Sequence, residues 1–297
     1  MTLRHLKIFI TVSDLGSMTA AAKALYIAQP TVSQAITDLE DYYGVKLFDR
    51  LSKRLFITEK GKQLLSLARH ITTLVNEMDQ VMKNPDESGM IKIGASLTIG
   101  TYLLPKLVKE FAKYYPRLQV NAISKNTHEI EELIMQNDID FAIVEGSVHT
   151  PEIITKAFMD DELLLVCGRD HPLYKKDSIS VADLGNLHFI VREQGSGTRE
   201  LFENSMASHE INWHLAWECN GSDVLKSAAI NGVGVAVISQ RLVESEIKTG
   251  ELYSINIDGI KLKRKFSVIH HKNKYITNTM KAFIDLCYKE STNTCIL

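Results

Sequence analysis

Uncharged side chains that can hydrogen-bond to nucleic-acid bases are concentrated in one short stretch near the N-terminus. The apolar residues of this stretch recur at spacings of four, three and four: Val32, Ile36, Leu39 and Tyr43. These spacings predict a helix that faces them inward. Its other face then carries Gln29, Thr31, Ser33, Gln34 and Thr37. In a major groove Gln can pair with adenine, and Ser or Thr can contact base edges or phosphates, so the stretch predicts a helix that reads DNA.

The preceding residues predict the other helices of a helix-turn-helix. Apolar residues in the segment 3–10 recur three and four positions apart and indicate a first helix, which ends at Gly16. Ser17 or Thr19 can cap a second helix, whose small alanines allow another helix to cross closely. Pro30 suits the first turn of the DNA-reading helix, because its missing N–H loses no hydrogen bond there.

Two short apolar runs around a basic turn follow Gly44, in the stretch VKLFDRLSKRLFITEKG. This pattern predicts a small hairpin, or wing. Arg50, Lys53 and Arg54 can then hold phosphates or enter a minor groove. The segment alone leaves a solvated basic loop as the alternative, and its position next to the helix pair favours DNA contact.

Three stretches within residues 1–62 carry a family resemblance: GSMTAAAKAL, AQPTVSQAITDLEDYYGVKLFDR and ITEKGKQLL. They resemble the winged helix-turn-helix of LysR-type transcriptional regulators. The resemblance implies a double-stranded DNA partner, contacted by Thr19, Gln29, Pro30, Thr31, Ser33, Gln34, Thr37, Arg50, Lys53 and Arg54. Ala28 stands where the family usually has a capping Ser or Thr, which removes about 1 kcal/mol of helix stability. Gln34 stands where many members have an Arg that contacts phosphate or guanine.

A heptad seam follows the wing and consists of Leu64, Leu67, Ile71, Leu74, Met78 and Val81. A lone helix does not bury such a seam, so the pattern predicts pairing with a second helix, and packing on its own domain is the alternative. The resemblance implies that the helix pairs with its twin in a homodimer, and that dimers build a homotetramer. The polar segment KNPDESG ends this linker, which we assign to residues 63–89.

Residues 90–297 alternate apolar runs with amphipathic segments. MIKIGAS, LQVNAIS and IDFAIVEG predict strands joined by crossover helices, and TYLLPKLVKEFAKYYP predicts one amphipathic helix. ELLLVC, HFIVRE and GVAVIS predict a second sheet. The expected fold class is α/β, preceded by an all-α-type winged domain.

Resemblance to the family's effector-binding half covers all of this segment. It implies two lobes like those of periplasmic binding proteins, lobe I at about 90–160 and 266–297 and lobe II at about 161–265. Two crossover strands, near 148–160 and 264–270, should join them.

Loops at the carboxyl ends of parallel strands bind ligands in such folds. The loop ASLTIG offers the Ser96 and Thr98 hydroxyls next to N–H groups of a helix start, which favours an anion. Asn126 and Thr127 occupy the equivalent place after the next strand. The predicted effector-binding set of this lobe is completed by Leu97 and Glu145. For Glu145 a strand-end carboxylate in solvent is the alternative.

The stretch REQGSGTRELFE supplies the opposing face of the cleft through Gly195, Ser196, Gly197 and Thr198. Its glycines can turn backbone N–H groups into a concave nest. The alternative is that Ser196 only caps the following helix. The segment resembles that of family members that respond to sulfur or carbon assimilation, whose effectors are small oxyanions or carboxylated metabolites. Beyond such an effector we expect no cofactor and no metal.

Composition sets the remaining limits. The chain has 297 residues, of which 45% are apolar, enough for two or three packed domains. Residues 1–62 hold nine Lys+Arg and six Asp+Glu, a net +3, whereas the other 235 residues hold 25 and 30, a net −5. The absence of an 18-residue apolar run and of a signal-peptide core predicts a cytoplasmic protein without membrane contact. We expect the four cysteines to be reduced thiols, with a redox role for Cys219 as the alternative.

These features predict a DNA-binding transcriptional regulator that responds to a small anionic metabolite bound between two lobes, with RNA polymerase as a further partner. We do not expect an enzyme, because the sequence offers neither a nucleophile–base pair nor a metal set as a motif. The alternative is a metabolite-binding protein or an enzyme that uses the α/β half and has a structural N-terminus.

Overall fold

The N-terminal part of the protein contains three helices packed around one small core. The structure is a computed structural model and describes residues 1–51, 54–83 and 89–294. The three helices are α1 (Leu3–Leu15), α2 (Met18–Ala24) and α3 (Gln29–Tyr43). Gly16 ends α1 with a φ of 59°, a left-handed conformation that glycine adopts without a steric penalty. Ser17 caps α2, because its Oγ accepts a hydrogen bond from the backbone N of Ala20 at 3.2 Å.

Helix α3 buries Glu40 instead of Tyr43. Val32, Ile36 and Leu39 are buried as predicted, but Tyr43 is 42% exposed, so the prediction that Tyr43 faces inward is wrong. Glu40 takes the inward position because its carboxylate accepts hydrogen bonds from backbone N–H groups just beyond the helix.

The predicted wing is an antiparallel hairpin of β1 (Phe48–Leu51) and β2 (Arg54–Ile57), with Phe48 opposite Ile57. The long helix α4 (Glu59–Lys83) follows at once. Thr58 begins it, because its Oγ1 accepts a hydrogen bond from the backbone N of Gly61 at 3.0 Å. The helix thus starts before residue 63. Most of the predicted boundary segment 83–89, namely residues 84–88, lies outside the described residues.

The chain divides into two compact units. The first comprises the described residues of Met1–Ser88 with Met135–Asn137 and Asn273–Tyr275, and the second comprises the rest of the described chain. The second unit is α/β, as predicted. Its strands are β3 (Met90–Ser96), β4 (Gln119–Lys125), β5 (Phe141–Glu145), β6 (Ile153–Gly168), β7 (Ser178–Ile179), β8 (His188–Arg192), β9 (His214–Cys219), β10 (Val235–Ser239), β11 (Leu252–Ile257) and β12 (Leu262–His271).

Helices cover this sheet. They are α5 (Leu97–Tyr102), α6 (Leu104–Tyr114), α7 (Thr127–Met135), α8 (Gly197–Ser208), α9 (Ser222–Ile230), α10 (Glu244–Thr249) and α11 (Asn278–Thr294), with short 3₁₀ turns at Val181–Asn186 and Gln240–Leu242. The prediction of one amphipathic helix from TYLLPKLVKEFAKYYP is wrong in the number of helices. The chain forms two helices that meet at Leu103, because Pro105 lies in the first turn of α6, where it suits a helix start.

Among the described residues the strands of the second unit form one mixed ten-stranded sheet, not the two sheets that we predicted. The order along its main path is β4-β3-β5-β12-β6-β10-β8-β9, and β11 pairs with β6 and β7. The long crossover strands β6 and β12 pair antiparallel from Leu262–Leu163 to His271–Ile153. Because this pairing runs through the junction, hydrogen bonding is continuous across both lobes.

Separate apolar cores define the two lobes. The first lobe packs around residues such as Ile93, Phe111 and Phe283, and the second around Phe189, Phe202 and Val235. Parallel pairing of β3 with β4 and β5, and of β8 with β9 and β10, gives each lobe the predicted α/β arrangement. The carboxyl ends of β3 and β5 in the first lobe and of β8 in the second carry most of the predicted ligand-binding residues.

Candidate DNA-reading helix and effector cleft

The start of α3 presents the predicted DNA-contacting side chains to solvent. Gln29, Pro30, Thr31, Gln34 and Thr37 are exposed, as is Thr19 on α2, whereas Ser33 is half-buried. Ala28 occupies the N-cap position and makes no side-chain capping hydrogen bond. The start of α3 therefore has no side-chain cap, as the departure at Ala28 predicts.

Gln34 is held by a neighbour on its own helix. Its Nε2 donates a hydrogen bond to Asp38 Oδ1 at 2.8 Å, and the other carboxylate oxygen of Asp38 lies 3.8 Å from His5 Nε2. Because a carboxylate only accepts hydrogen bonds, Asp38 fixes which end of the Gln34 amide points toward it. Asp38 is not among the predicted residues, although an acidic residue four positions after Gln34 is the signal for such a pair.

Glu40 connects α3 to the wing. Its Oε1 accepts hydrogen bonds from the backbone N of Leu47 at 2.9 Å and of Phe48 at 3.4 Å, and its Oε2 pairs with Lys46. Burial raises the pKa of the Glu40 carboxyl, but the Lys46 and backbone hydrogen bonds outweigh it and lower that pKa below 4.5. The wing is therefore fixed to the DNA-reading helix by a charged group. Lys53 and the side chains of Arg50 and Arg54 lie outside the described residues, so their predicted DNA contacts stay predictions.

The predicted seam divides along α4. Leu64 is half-buried and packs against the N-terminal core, which supports the alternative for this one position. The next four seam residues are exposed in the single chain, to 47% at Leu67, 41% at Ile71, 47% at Leu74 and 57% at Met78. The side chain of Val81 is outside the described residues. An apolar stripe this exposed remains available for a second helix.

Arg264 on β12 lies buried where the two lobes meet. Its side chain is 3% exposed, and its Nε donates to Asp161 Oδ2 at 2.7 Å. Its Nη1 donates to Thr198 Oγ1 of the second lobe at 2.8 Å, and its Nη2 donates to Thr98 Oγ1 of the first lobe at 3.5 Å. The predicted residues Thr98 and Thr198 are thus brought together by one guanidinium.

Arg264 and Asp161 belong to this site but are not among the predicted effector-binding residues. In the strand segment LKRKF the inward positions are Leu262, Arg264 and Phe266, all buried. An arginine at an inward strand position between two apolar residues is a signal that the sequence contained. Ser239 adds to the same cluster, because its Oγ donates to Asp161 Oδ1 at 2.7 Å.

Glu145 is buried where the lobes meet and does not point into solvent, so the solvent alternative is wrong. It is 2% exposed, its Oε2 accepts a hydrogen bond from Ser96 Oγ, and its Oε1 lies 4.0 Å from Arg264 Nη1. The backbone N of Glu145 donates to Ser96 Oγ at 3.2 Å. The anion that contacts Ser96 in this structure is therefore the protein's own carboxylate.

Three of the predicted residues have structural partners. Asn126 begins α7, because its Oδ1 accepts from the backbone N of Glu129 at 2.9 Å. Thr127 is buried and its Oγ1 donates to the carbonyl of Glu145 at 3.0 Å. Ser196 begins α8 by accepting from the backbone N of Thr198 at 3.3 Å, which is the capping role that the sequence left open. Leu97 lies half-buried in the first turn of α5.

The glycines of the GSGT turn permit close approach of the two lobes. A Cβ atom on Gly197 would lie 2.4 Å from the carbonyl O of Glu145, so only glycine fits there. The carbonyl of Gly195, which has a φ of 84°, accepts a hydrogen bond from the backbone N of His128 at 3.2 Å. His149 Nε2 and Glu200 Oε1 lie 2.7 Å apart across the same junction.

A cavity of about 210 Å³ opens next to this junction. Thr127, Gly195 and Ser196 border it together with the charged residues Glu131, Arg199 and Glu200. Seven of the ten predicted effector-binding residues therefore fall into two groups. Thr127, Gly195 and Ser196 border the cavity. Ser96, Thr98, Glu145 and Thr198 are drawn together around Arg264.

The cysteine environments disfavour a redox role. Cys167, Cys219 and Cys287 are free and buried. Burial is the main cause that raises the pKa of the Cys219 thiol, and this disfavours the reactive thiolate. Cys295 lies outside the described residues.

Comparison with known proteins decides the family. Residues 3–62 match the sequence model described as bacterial regulatory helix-turn-helix protein, lysR family, and residues 84–291 match the LysR substrate binding domain. The chain belongs to the LysR family of transcriptional regulators. The predicted resemblance, the fold class and DNA as a partner are thereby confirmed, and the matches are to regulators, not to enzymes.

Three similar proteins illustrate the membership. The chain is 33% identical over 287 residues to the uncharacterized HTH-type transcriptional regulator YeiE of Escherichia coli K12, covering 97% of each. It is 33% identical over 283 residues to the HTH-type transcriptional regulator CysL of Bacillus subtilis, covering 93% of this chain and 95% of that one. It is also similar to the regulatory domain of Synechocystis PCC6803 CcmR in complex with 2-PG, with a TM-score of 0.65, 29% identity, and coverage of 69% of this chain and 98% of that one.

No helix within the described ranges of this LysR-family chain has both the length and the apolar character needed to cross a membrane.

Proposed function

We propose that this LysR-family regulator senses a small anionic effector, an oxyanion or a carboxylate, in the cleft around Arg264. The observation that carries the proposal is the buried guanidinium that touches a threonine hydroxyl of each lobe, Thr98 and Thr198. Threonine hydroxyls and a guanidinium are donors suited to carboxylate or oxyanion oxygens. The similar Synechocystis domain, which holds 2-PG, supports a small ligand in this half of the chain.

Effector binding is coupled to the DNA-reading part through the arrangement of the two lobes. A ligand that contacts Thr98, Thr198 and Arg264 exchanges a direct lobe-to-lobe contact for a ligand-mediated one, so it favours a different arrangement of the lobes. We infer that a homodimer formed through α4, and a tetramer built from such dimers, converts this change into a different spacing of the DNA-reading heads. A regulator bound at a promoter acts on RNA polymerase, and the proposal thus implies a cytoplasmic protein with that partner.

A thermal-shift titration of the full-length protein tests the effector part. The probes are sulfate, thiosulfate, phosphate, glycolate and acetate at constant ionic strength. A ligand at 100 times its dissociation constant adds about 2.7 kcal/mol of stability, which a melting curve resolves. We expect at least one anion to stabilise the wild type and to stabilise the Thr98→Val variant much less.

Thr98→Val is the matched variant because it keeps the shape of the buried side chain and removes its hydroxyl. Thr101→Val, at an exposed position of the same helix, is the control. An anion that stabilises the wild type and Thr98→Val equally would show that the effector binds elsewhere.

A further inference from the structure

Glu145 places a negative charge inside the cleft that we propose for an anion. Its carboxylate is 2% exposed, and Ser96 Oγ already donates to Oε2. The other oxygen, Oε1, lies 4.0 Å from Arg264 Nη1, which is an ion pair beyond hydrogen-bond distance. Oε1 of Glu145 therefore keeps acceptor capacity for a hydrogen-bond donor.

Arg264 has donors left for such an atom. A guanidinium has five N–H groups, and Arg264 directs one each to Asp161, Thr198 and Thr98. Asp161 pairs with Arg264 at 2.7 Å from Nε and also lies 3.5 Å from Arg241 Nε, so it is shared between two guanidinium groups. Arg264 therefore offers further N–H donors to a ligand oxygen, while Glu145 offers only acceptors.

A fully deprotonated oxyanion can form hydrogen bonds with Arg264 but not with Glu145. Its oxygens accept from Arg264, but against Glu145 they bring two negative acceptors together in a buried site, where such repulsion is poorly screened. A hydroxyl can form hydrogen bonds with both groups, because it can accept from Arg264 Nη1 and donate to Glu145 Oε1.

We propose that Glu145 makes the cleft select effectors that carry a hydroxyl or a protonated oxygen next to their anionic group. The class comprises small hydroxy acids and protonated tetrahedral oxyanions, and it excludes anions that have only acceptors. The inference rests on the proposed function, because it assumes an effector at Arg264. It adds the chemical feature by which that site tells two anions of similar size and charge apart.

Two matched pairs of probes test it on the full-length protein. Glycolate and acetate differ by one hydroxyl, and hydrogen phosphate and sulfate are tetrahedral anions of which only the first retains a proton at pH 7.5. Dissociation constants are measured by isothermal titration calorimetry and thermal shift at fixed ionic strength. If a pair binds the wild type, we expect its proton-bearing member to bind at least about tenfold more tightly than its acceptor-only member. A hydrogen bond to a charged group accounts for a difference of this size.

Glu145→Gln removes the negative charge and adds an N–H donor with little change in the shape of the side chain. The glutamine amide can donate to an acceptor-only anion, so we expect sulfate or acetate to gain affinity and the difference within each pair to fall below about threefold. Glu251→Gln, an exposed change of the same kind, should retain the wild-type difference. The wild-type comparison needs no variant, so it decides the question even if Glu145→Gln does not fold.

The outcomes separate the two proposals. If both members of a pair bind the wild type equally, or the acceptor-only member binds better, the role of Glu145 is wrong while the anion site stands. If no probe binds either the wild type or Glu145→Gln, the anion site itself is wrong and the selection by Glu145 falls with it.

Discussion

Two buried glutamates show how a charged residue is held in this protein and why it is there. Glu40 accepts two backbone hydrogen bonds and pairs with Lys46, so its charge is satisfied within the N-terminal unit. Glu145 has one hydroxyl partner and an arginine at 4.0 Å. The hydrogen bonds of Glu40 fix the fold of the N-terminal unit, whereas Glu145 keeps acceptor capacity that the proposed effector would use.

The first residue-scale prediction concerns Glu40 and pH. Its lowered folded pKa means that the ionised form stabilises the native state at pH values above 4.5, and that this contribution is lost as the pH falls through the folded pKa. Glu40→Gln should therefore cost about 1–3 kcal/mol at pH 7, and progressively less in acid.

Thermal melts of the wild type and Glu40→Gln by circular dichroism between pH 7 and pH 3 measure this difference. Asp41→Asn, exposed on the same helix, should leave the melting temperature unchanged. A pH-independent difference between the wild type and Glu40→Gln would mean that the Glu40 charge contributes nothing to stability.

The second residue-scale prediction concerns Asp38 and the base read by Gln34. With Nε2 directed at Asp38, the Gln34 amide presents its oxygen outward, which suits a base that has an exocyclic amine in the major groove. In Asp38→Asn the new amide can donate to the Gln34 oxygen, so both orientations of Gln34 become available. We expect the base preference at the contacted position to relax, by up to the 1–3 kcal/mol that a good bidentate contact discriminates.

Sequencing of DNA selected from a random library by the full-length protein measures that preference. Asp41→Asn again serves as the control for loss of one acidic charge on α3. An Asp38→Asn protein that selects the same sequences as the wild type would show that Asp38 does not set the orientation of Gln34 on DNA.

At the scale of elements, local patterns predicted what local forces decide. Four predicted features follow from short-range rules and are present in the structure: the end of α1 at Gly16, the cap at Ser17, the uncapped start at Ala28 and the wing hairpin. The inward turn of Glu40 depends on backbone N–H groups of a later segment, and no helix periodicity contains that information. Likewise, the single sheet depends on the pairing of β6 with β12, which lie about a hundred residues apart in the chain.

Only part of the candidate site was predictable from the sequence, because only some of its residues are marked by local signals. Strand ends and glycine turns located Ser96, Glu145 and Thr198, because those signals are local. Arg264 reaches them from a strand far along the chain, and the pairing that brings it there is a tertiary property. Its presence changes the chemistry of the site from hydroxyls at a helix start to a guanidinium shared by two lobes.

The element-scale prediction concerns α4. Leu74 is 47% exposed at the middle of the apolar stripe, so Leu74→Asp should leave the single chain folded and weaken pairing of two helices. A charge buried in a coiled-coil seam is costly, and we expect the dimer dissociation constant to rise at least about tenfold.

Sedimentation velocity at several protein concentrations measures the assembly of Leu74→Asp and of Asn76→Asp, an exposed change that points away from the stripe. A wild-type protein that sediments as a monomer at micromolar concentration would contradict the pairing. So would a Leu74→Asp protein that assembles like the wild type.

At the scale of the whole molecule the charge is divided by function. Residues 1–62 are net positive, as a DNA-binding part requires, and the remainder is net negative. Because +3 is modest for binding DNA, affinity should come from joining two heads, and specificity from the uncharged face of α3. We propose that these two parts are coupled, so that a ligand at Arg264 changes the affinity of α3 for DNA.

The most direct test of that coupling is a fluorescence-anisotropy titration of the full-length protein against its own upstream DNA and a scrambled duplex at physiological salt. It is run with and without an anion that raises the melting temperature. The account predicts at least about a hundredfold preference for the upstream DNA, and an anion-dependent change in its dissociation constant of about fivefold or more that Thr98→Val loses. Equal affinity for the two duplexes, or an anion effect that persists in Thr98→Val, would contradict it.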